Sequence, residues 1–222
     1  MATETHPDTS NIPSSSAVLR IQSSTLIDAP IDDVWNALTN TATWPRWNRF
    51  VPRVVIREQP GRDTNTDTGR EEEDIAVLRN GSKFTFHVNM YPERVKEPLS
   101  QSTGLRETFL RVIECVPPQA LPQNQTQTQQ TREKRKGRIV WASDPDADGY
   151  VMSSLLMAER VHEVSEIEVE IDGEVKKVTE VRNWESQVGY LAYVVRWLFG
   201  GRLRRNFEIW EGGLKEFVEG GR

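Results

Sequence analysis

A single cysteine, Cys115, in 222 residues removes any internal disulfide and suits a reducing compartment, so a cytoplasmic location is expected. Histidine is nearly as scarce. His6, His87 and His162 stand at no ligand spacing with one another or with Cys115, so no metal and no cofactor is expected. The net charge of −5 leaves no basic excess with which to bind nucleic acid. The longest apolar run, "GYLAYVVRWLFGG", is broken by Arg196 and falls far short of the ~20 residues of a membrane span. "MATETHPDTSNIPSSS" lacks the basic and apolar regions of a secretory signal. Gly-x-Ser-x-Gly, a phosphate loop and a dinucleotide Gly-x-Gly-x-x-Gly are all missing, which leaves no catalytic constellation.

Apolar residues make up 36% of the chain, low for a compact globule, and three polar segments account for the deficit. Residues 1–16 are rich in Ser, Thr, Pro and Asp and read as a disordered tail. Residues 60–74 form a polar loop, and residues 117–137 a low-complexity insertion too polar to order itself. What remains suits one domain spanning 17–219.

Within that domain, Leu19, Ile21, Thr25 and Ile27 share one parity of a strand over 17–28. A short helix over 30–39 follows. It has Pro30 at its start, Asp32 and Asp33 in its first turn, and Ile31, Val34, Trp35 and Leu38 on one face. "TATWPRWNRF" reads as a second short helix over 43–50, stopped by Pro52. Six strands are expected next: 51–58, 82–91, 105–116, 138–143, 155–169 and 174–187. In "KFTFHVNM" Phe84, Phe86, Val88 and Met90 alternate with polar residues, and Asp172-Gly173 marks a tight hairpin. Apolar residues then recur at helical spacing over 188–219, interrupted by Gly200-Gly201, where a bend or a helix end is expected. Strands in succession with helices at either end make an α+β pattern.

The opening "STLIDAPIDDVWNALTNTATWPRWNRFVPRVV", the strand run and the closing "VRNWESQVGYLAYVVRWLFGGRLRRNFEIWEGGLKEFVE" together resemble the START-like, birch-pollen-allergen-like superfamily. This group is also called SRPBCC or polyketide cyclase-like. The resemblance implies the helix-grip fold: a curved antiparallel sheet wrapped around a long C-terminal helix, with two short helices after the first strand. In such folds the two short helices form a V that plugs one end of the sheet. Trp35, Trp44 and Trp47 are then packing wedges.

The resemblance further implies an apolar cavity between helix and sheet, holding a hydrophobic small molecule (lipid, sterol, quinone or polyketide-like) for a carrier or sensor. Phe84, Phe86, Val88, Trp141, Tyr193, Val194 and Trp197 are the expected ligand contacts, with Ile139 beside them. The competing reading is that these residues fill a solid core. The alternative function is a polyketide cyclase or dehydratase working in the same cavity. It would need an internal polar pair, for which His162 and Arg182 are the catalytic candidates. A protein-interaction module is a third reading, favoured by a filled interior and an exposed apolar patch. Arg160 and Asn183 are the other polar residues that could point inward. Strand parity leaves all four open, because Val161 and Val164 fall on opposite sides. The basic "REKRKGR" at 132–138 reads as a solvated loop. "GGRLRR" at 200–205 reads as a wet helix face, with transient contact to anionic lipid as its other reading.

Overall fold

The computed structural model describes residues 7–61, 76–94, 104–120, 135–149, 154–171 and 173–221. Strand β1 (Leu19–Ile27) leads into helix α1 (Ile31–Thr39) and a 3₁₀ helix (Thr41–Arg46). Strands β2 (Arg53–Glu58), β3 (Lys83–Val88), β4 (Arg106–Ala120), β5 (Arg135–Ser143), β6 (Met157–Ile171) and β7 (Glu174–Val188) follow. One long helix, Tyr190–Gly220, closes the chain. The strands form a seven-stranded sheet in the order β1-β7-β6-β5-β4-β3-β2, every neighbouring pair antiparallel. This is the helix-grip α+β architecture.

Cross-strand register carries one face of the sheet from strand to strand. Ile21 stands opposite Glu185, Glu185 opposite Arg160, Arg160 opposite Trp141 and Trp141 opposite Val112. Paired residues share a face, so this row and its neighbours make the concave surface on which the helix lies. The helix buries Leu203, Phe207, Trp210, Leu214 and Val218 against it. At one end Trp44 and Trp47 are buried wedges. The Trp44 ring lies 5.3 Å from Phe86 and 6.3 Å from Trp141, and the Trp47 ring 5.7 Å from Trp210. The second short helix differs from expectation: it is a 3₁₀ helix of two turns that begins and ends earlier. The Asn40 side chain accepts from the Ala42 amide at 3.1 Å and starts the helix at Thr41. Pro45, inside it, has no N–H to extend the ladder.

Two polar segments are more ordered than their composition suggested. Residues 7–16 cross the convex face instead of trailing off. Ile12 is buried, the Asn11 amide donates to Glu159 at 2.9 Å, and Trp184 Nε1 donates to the Asp8 carbonyl at 3.2 Å. This strap accompanies a small convex-side cluster of Val140, Val161 and Trp184. Val161 is therefore buried on one face and Val164 on the other, which is why parity in β6 was ambiguous. Strands β4 and β5 also run further into the expected insertion, to Ala120 and from Arg135. The basic stretch is no free loop where it is described. Arg135 makes a bidentate pair with Asp32 (2.8 Å for both bonds), Arg138 bonds Glu163 at 2.8 Å, and Lys136 lies 3.1 Å from Glu163. The rest of the 60–74 loop and of the 117–137 insertion, and residues 1–6, lie outside the described residues.

The long helix runs unbroken through Gly200 and Gly201, so no helix ends there. Sequence pattern overstated the interruption because neither glycine meets a steric demand: the position of a Cβ on Gly201 is open space.

Candidate functional site

The helix does not fill the concave face evenly. Around its second half the aromatic rings pack solidly. Towards its first half a cavity of about 350 Å³ remains, walled by Phe50, Phe86, Val88, Met90, Val195 and Phe199, with Trp141 and Leu203 at its inner side. The walls are mainly apolar. At one side Arg160 of β6 and Glu185 and Gln187 of β7 enter as a polar group. Their facing positions come directly from the β6–β7 register.

Arg160 Nε donates to Glu185 Oε2 at 2.8 Å, and Gln187 Nε2 donates to Glu185 Oε1 at 2.5 Å. The guanidinium also lies over the Phe207 ring, 4.2 Å from its centroid. All three side chains are buried, so the charge pair is sheltered from water and neutral as a unit. The bond to Glu185 fixes the Gln187 amide with its nitrogen towards the carboxylate. Its oxygen, buried, has no hydrogen-bond partner among the described residues. The site thus presents a compensated ion pair at one side of a mainly apolar cavity, with Arg106, Glu107 and Thr108 of β4 also on its wall.

The expected ligand contacts divide. Phe86, Val88 and Trp141 line the cavity. Phe84 sits one step away in solid core, its ring 4.9 Å from Phe86, and is no part of the wall. Tyr193, Val194 and Trp197 point away from it and are exposed; Val195, Phe199 and Leu203 take that role. The helix phase was misread because its first four turns are apolar on nearly every side, so spacing alone sets no unique face.

The catalytic candidates cannot pair. His162 points inward and Arg182 outward: Arg182 is exposed on the convex side, opposite Glu163 in register. His162 is fully buried behind the cavity wall, its ring centroid 4.4 Å from Trp141 and 4.7 Å from Trp210. Burial, with the Arg160 charge adding to it, holds its pKa well below the ordinary imidazole value, so the ring is neutral. Neither ring nitrogen has a hydrogen-bond partner among the described residues. Asn183, its register partner, is buried on the same side and likewise off the cavity wall. Glu185 and Gln187 were missed by the sequence reading. Their shared parity with Asn183 was the available signal, but acidic and amide residues in a strand ordinarily mark its wet face. Among the described residues no three of His, Cys, Asp or Glu gather so as to hold a metal ion, and no helix is long and apolar enough to cross a membrane.

Comparison with known proteins places this geometry. A family model described as "Polyketide cyclase / dehydrase and lipid transport" matches residues 18–103. The chain is 40% identical over 213 residues to oxopyrrolidines biosynthesis cluster protein O of Penicillium oxalicum, covering 96% of this chain and 92% of that protein. The chain belongs to the START-like, SRPBCC superfamily, in its polyketide cyclase-like branch. Among solved structures, a hypothetical protein from Helicobacter pylori superposes with a TM-score of 0.59 at 13% identity, over 96% of this chain and 98% of that one. A START superfamily protein from Mycobacterium smegmatis superposes with a TM-score of 0.47 at 8% identity, over 91% and 99%. The first likeness, at so low an identity, concerns the SRPBCC fold alone.

Proposed function

We propose that this SRPBCC protein binds a compact hydrophobic small molecule between the sheet and the first half of the long helix, as a carrier or sensor. The observation that carries the reading is the cavity itself: apolar walls with a sheltered polar group at one side. Its volume lies at the lower end of the range for small-molecule sites, which suits a ring system or a short chain better than a whole phospholipid. Glu185 neutralises Arg160, and Arg106 and Glu107 add one charge of each sign to the wall, so the lining has no formal net charge and favours a neutral ligand over a free acid. A biosynthetic intermediate is the class to test first, since the Penicillium relative is named for a biosynthesis cluster.

The test is native mass spectrometry of protein taken from its producing cell, joined to thermal shift across lipid, quinone and polyketide panels. A co-purifying neutral apolar molecule, or a panel member that raises the melting point, supports the reading. Failure of both overturns it. Ala158→Phe, which fills the cavity from the β6 side, is expected to abolish any such shift.

A second reading, a cyclase or dehydratase in the same cavity, draws on Arg160 and Glu185. A guanidinium and a carboxylate in an apolar chamber are the groups that would polarise a carbonyl and move a proton. Turnover of a bound ligand that stops in Glu185→Gln while binding persists would favour the enzyme over the carrier.

A further inference from the structure

The cavity wall has a second face. The turns of the long helix that supply Val195 and Phe199 to the cavity expose a continuous apolar stripe on the opposite side: Tyr190, Tyr193, Val194, Trp197 and Leu198. The exposures are extreme for such side chains, 80% for Tyr190, 62% for Tyr193 and 84% for Trp197. Leaving this much apolar area in water is unfavourable, and a contiguous patch of this kind marks a contact surface. The charge around it is one-sided. Residues 190–205 contain four arginines and no acidic residue, in a chain whose net charge is −5. Arg196, Arg204 and Arg205 are exposed, and Arg204 and Arg205 have no ion-pair partner among the described residues. Arg202 instead reaches Glu93, at 3.7 Å, and lies over the Tyr91 ring.

We propose that the first four turns of the long helix dock on an anionic lipid surface. The helix would lie along it, with Trp197, Leu198 and Val194 in the headgroup boundary and Arg204 and Arg205 on the phosphates. Three features favour this occupant. Tyrosine and tryptophan carry an apolar ring and one polar atom, and lose least at a lipid–water boundary, where one end stays wet. Arginine stems lie on apolar surface while their heads reach anions. The stripe is also a ridge of one helix, which a soft surface accommodates without a matching groove. Docking would set the helix that carries Val195 and Phe199 on its inner side against the bilayer. The docking itself does not depend on the ligand and holds for an empty cavity.

Sedimentation of the full chain with phosphatidylcholine vesicles, with and without about 30% phosphatidylserine, tests it. The expected result is at least about tenfold stronger partition onto the anionic vesicles, largely lost at about 0.5 M salt. Brominated lipids should quench fluorescence, because Trp197 is the most exposed of the seven tryptophans. Trp197→Ser should cut partition and remove the quenching, and Arg204→Gln with Arg205→Gln should erase the preference for anionic lipid. Both variants should melt like the parent, because neither site touches the core. Absence of partition onto either vesicle, or partition unchanged in both variants, overturns the proposal. So does a dimer in analytical ultracentrifugation that Trp197→Ser dissolves, which assigns the stripe to a second copy.

Discussion

The backbone carbonyl of Trp47 lies 2.5 Å from where a Cβ on Gly213 would stand, so the long helix touches the end of the 3₁₀ helix at a point only glycine allows. Gly213→Ala must push apart two packed elements, and a loss of about 1–3 kcal/mol is expected. Gly200 and Gly201 are the controls. An added Cβ meets Leu19 at an ordinary 3.9 Å at the first and nothing at the second. Each alanine there should stabilise by ~0.5–1 kcal/mol through helix propensity. Urea denaturation of the three variants reads both signs.

Glu211 faces the sheet beside Ser23, and its carboxyl pKa is pushed up to about 7 from 4.5. Burial is the main cause; the Ser23 hydroxyl opposes it and the like charge of Glu208 adds to it. The folded state therefore holds a proton that the unfolded chain gives up sooner. Stability should fall as pH rises from about 4.5 to 7 and stay lower above that. Glu211→Gln removes the penalty. It should stabilise by up to ~3 kcal/mol above pH 7 and have little effect below pH 4.5, as melting curves across pH 4–8 would record.

Removing one member of the Arg160–Glu185 pair leaves a charge buried without its partner. Glu185→Ala is expected to cost about 3–5 kcal/mol, and it also takes the acceptor from Gln187. Replacing both, as Arg160→Met with Glu185→Leu, should cost less than either single change. A double-mutant cycle by chemical denaturation would show that inequality; simple additivity would mean the two do not act as a pair.

Deletion of residues 1–16, which composition alone invites, should destabilise the protein. It exposes the Val140, Val161 and Trp184 cluster, removes the buried Ile12 and strips Glu159 of Asn11, at about 2 kcal/mol or more. The check is a lower denaturation midpoint with unchanged far-ultraviolet circular dichroism.

These cases show what the sequence made legible. The order of elements could be read because each carries a local signature: Phe84, Phe86 and Val88 alternate, and Gly173 turns a hairpin with φ of +80°. Three residues that the family resemblance implies at the cavity, Phe86, Val88 and Trp141, line it. The Arg160–Glu185–Gln187 group was not legible, since it exists only when β6 and β7 come into register and no local pattern encodes that pairing. The strap escaped for a related reason. Ile12 is one apolar residue in a polar stretch, and its value appears only against a surface made by three distant strands. Tyr193, Val194 and Trp197 were assigned inward because apolar character was equated with burial, the one inference an exposed apolar stripe defeats.

The pairing of β1 with β7 also sets a timetable. Among the described residues, 19–27 find their only sheet neighbour at residues 179–187, more than two thirds of the chain later. At roughly 5–20 residues per second a ribosome delivers that partner on the order of ten seconds after β1 emerges. Until then β1 is a lone strand, and the Trp44–Trp47 wedge has no helix to meet. A nascent chain therefore cannot close this domain from its beginning. It must wait for its last strand and helix, and the search for such distant partners makes for slow folding in which early segments depend on protection from aggregation.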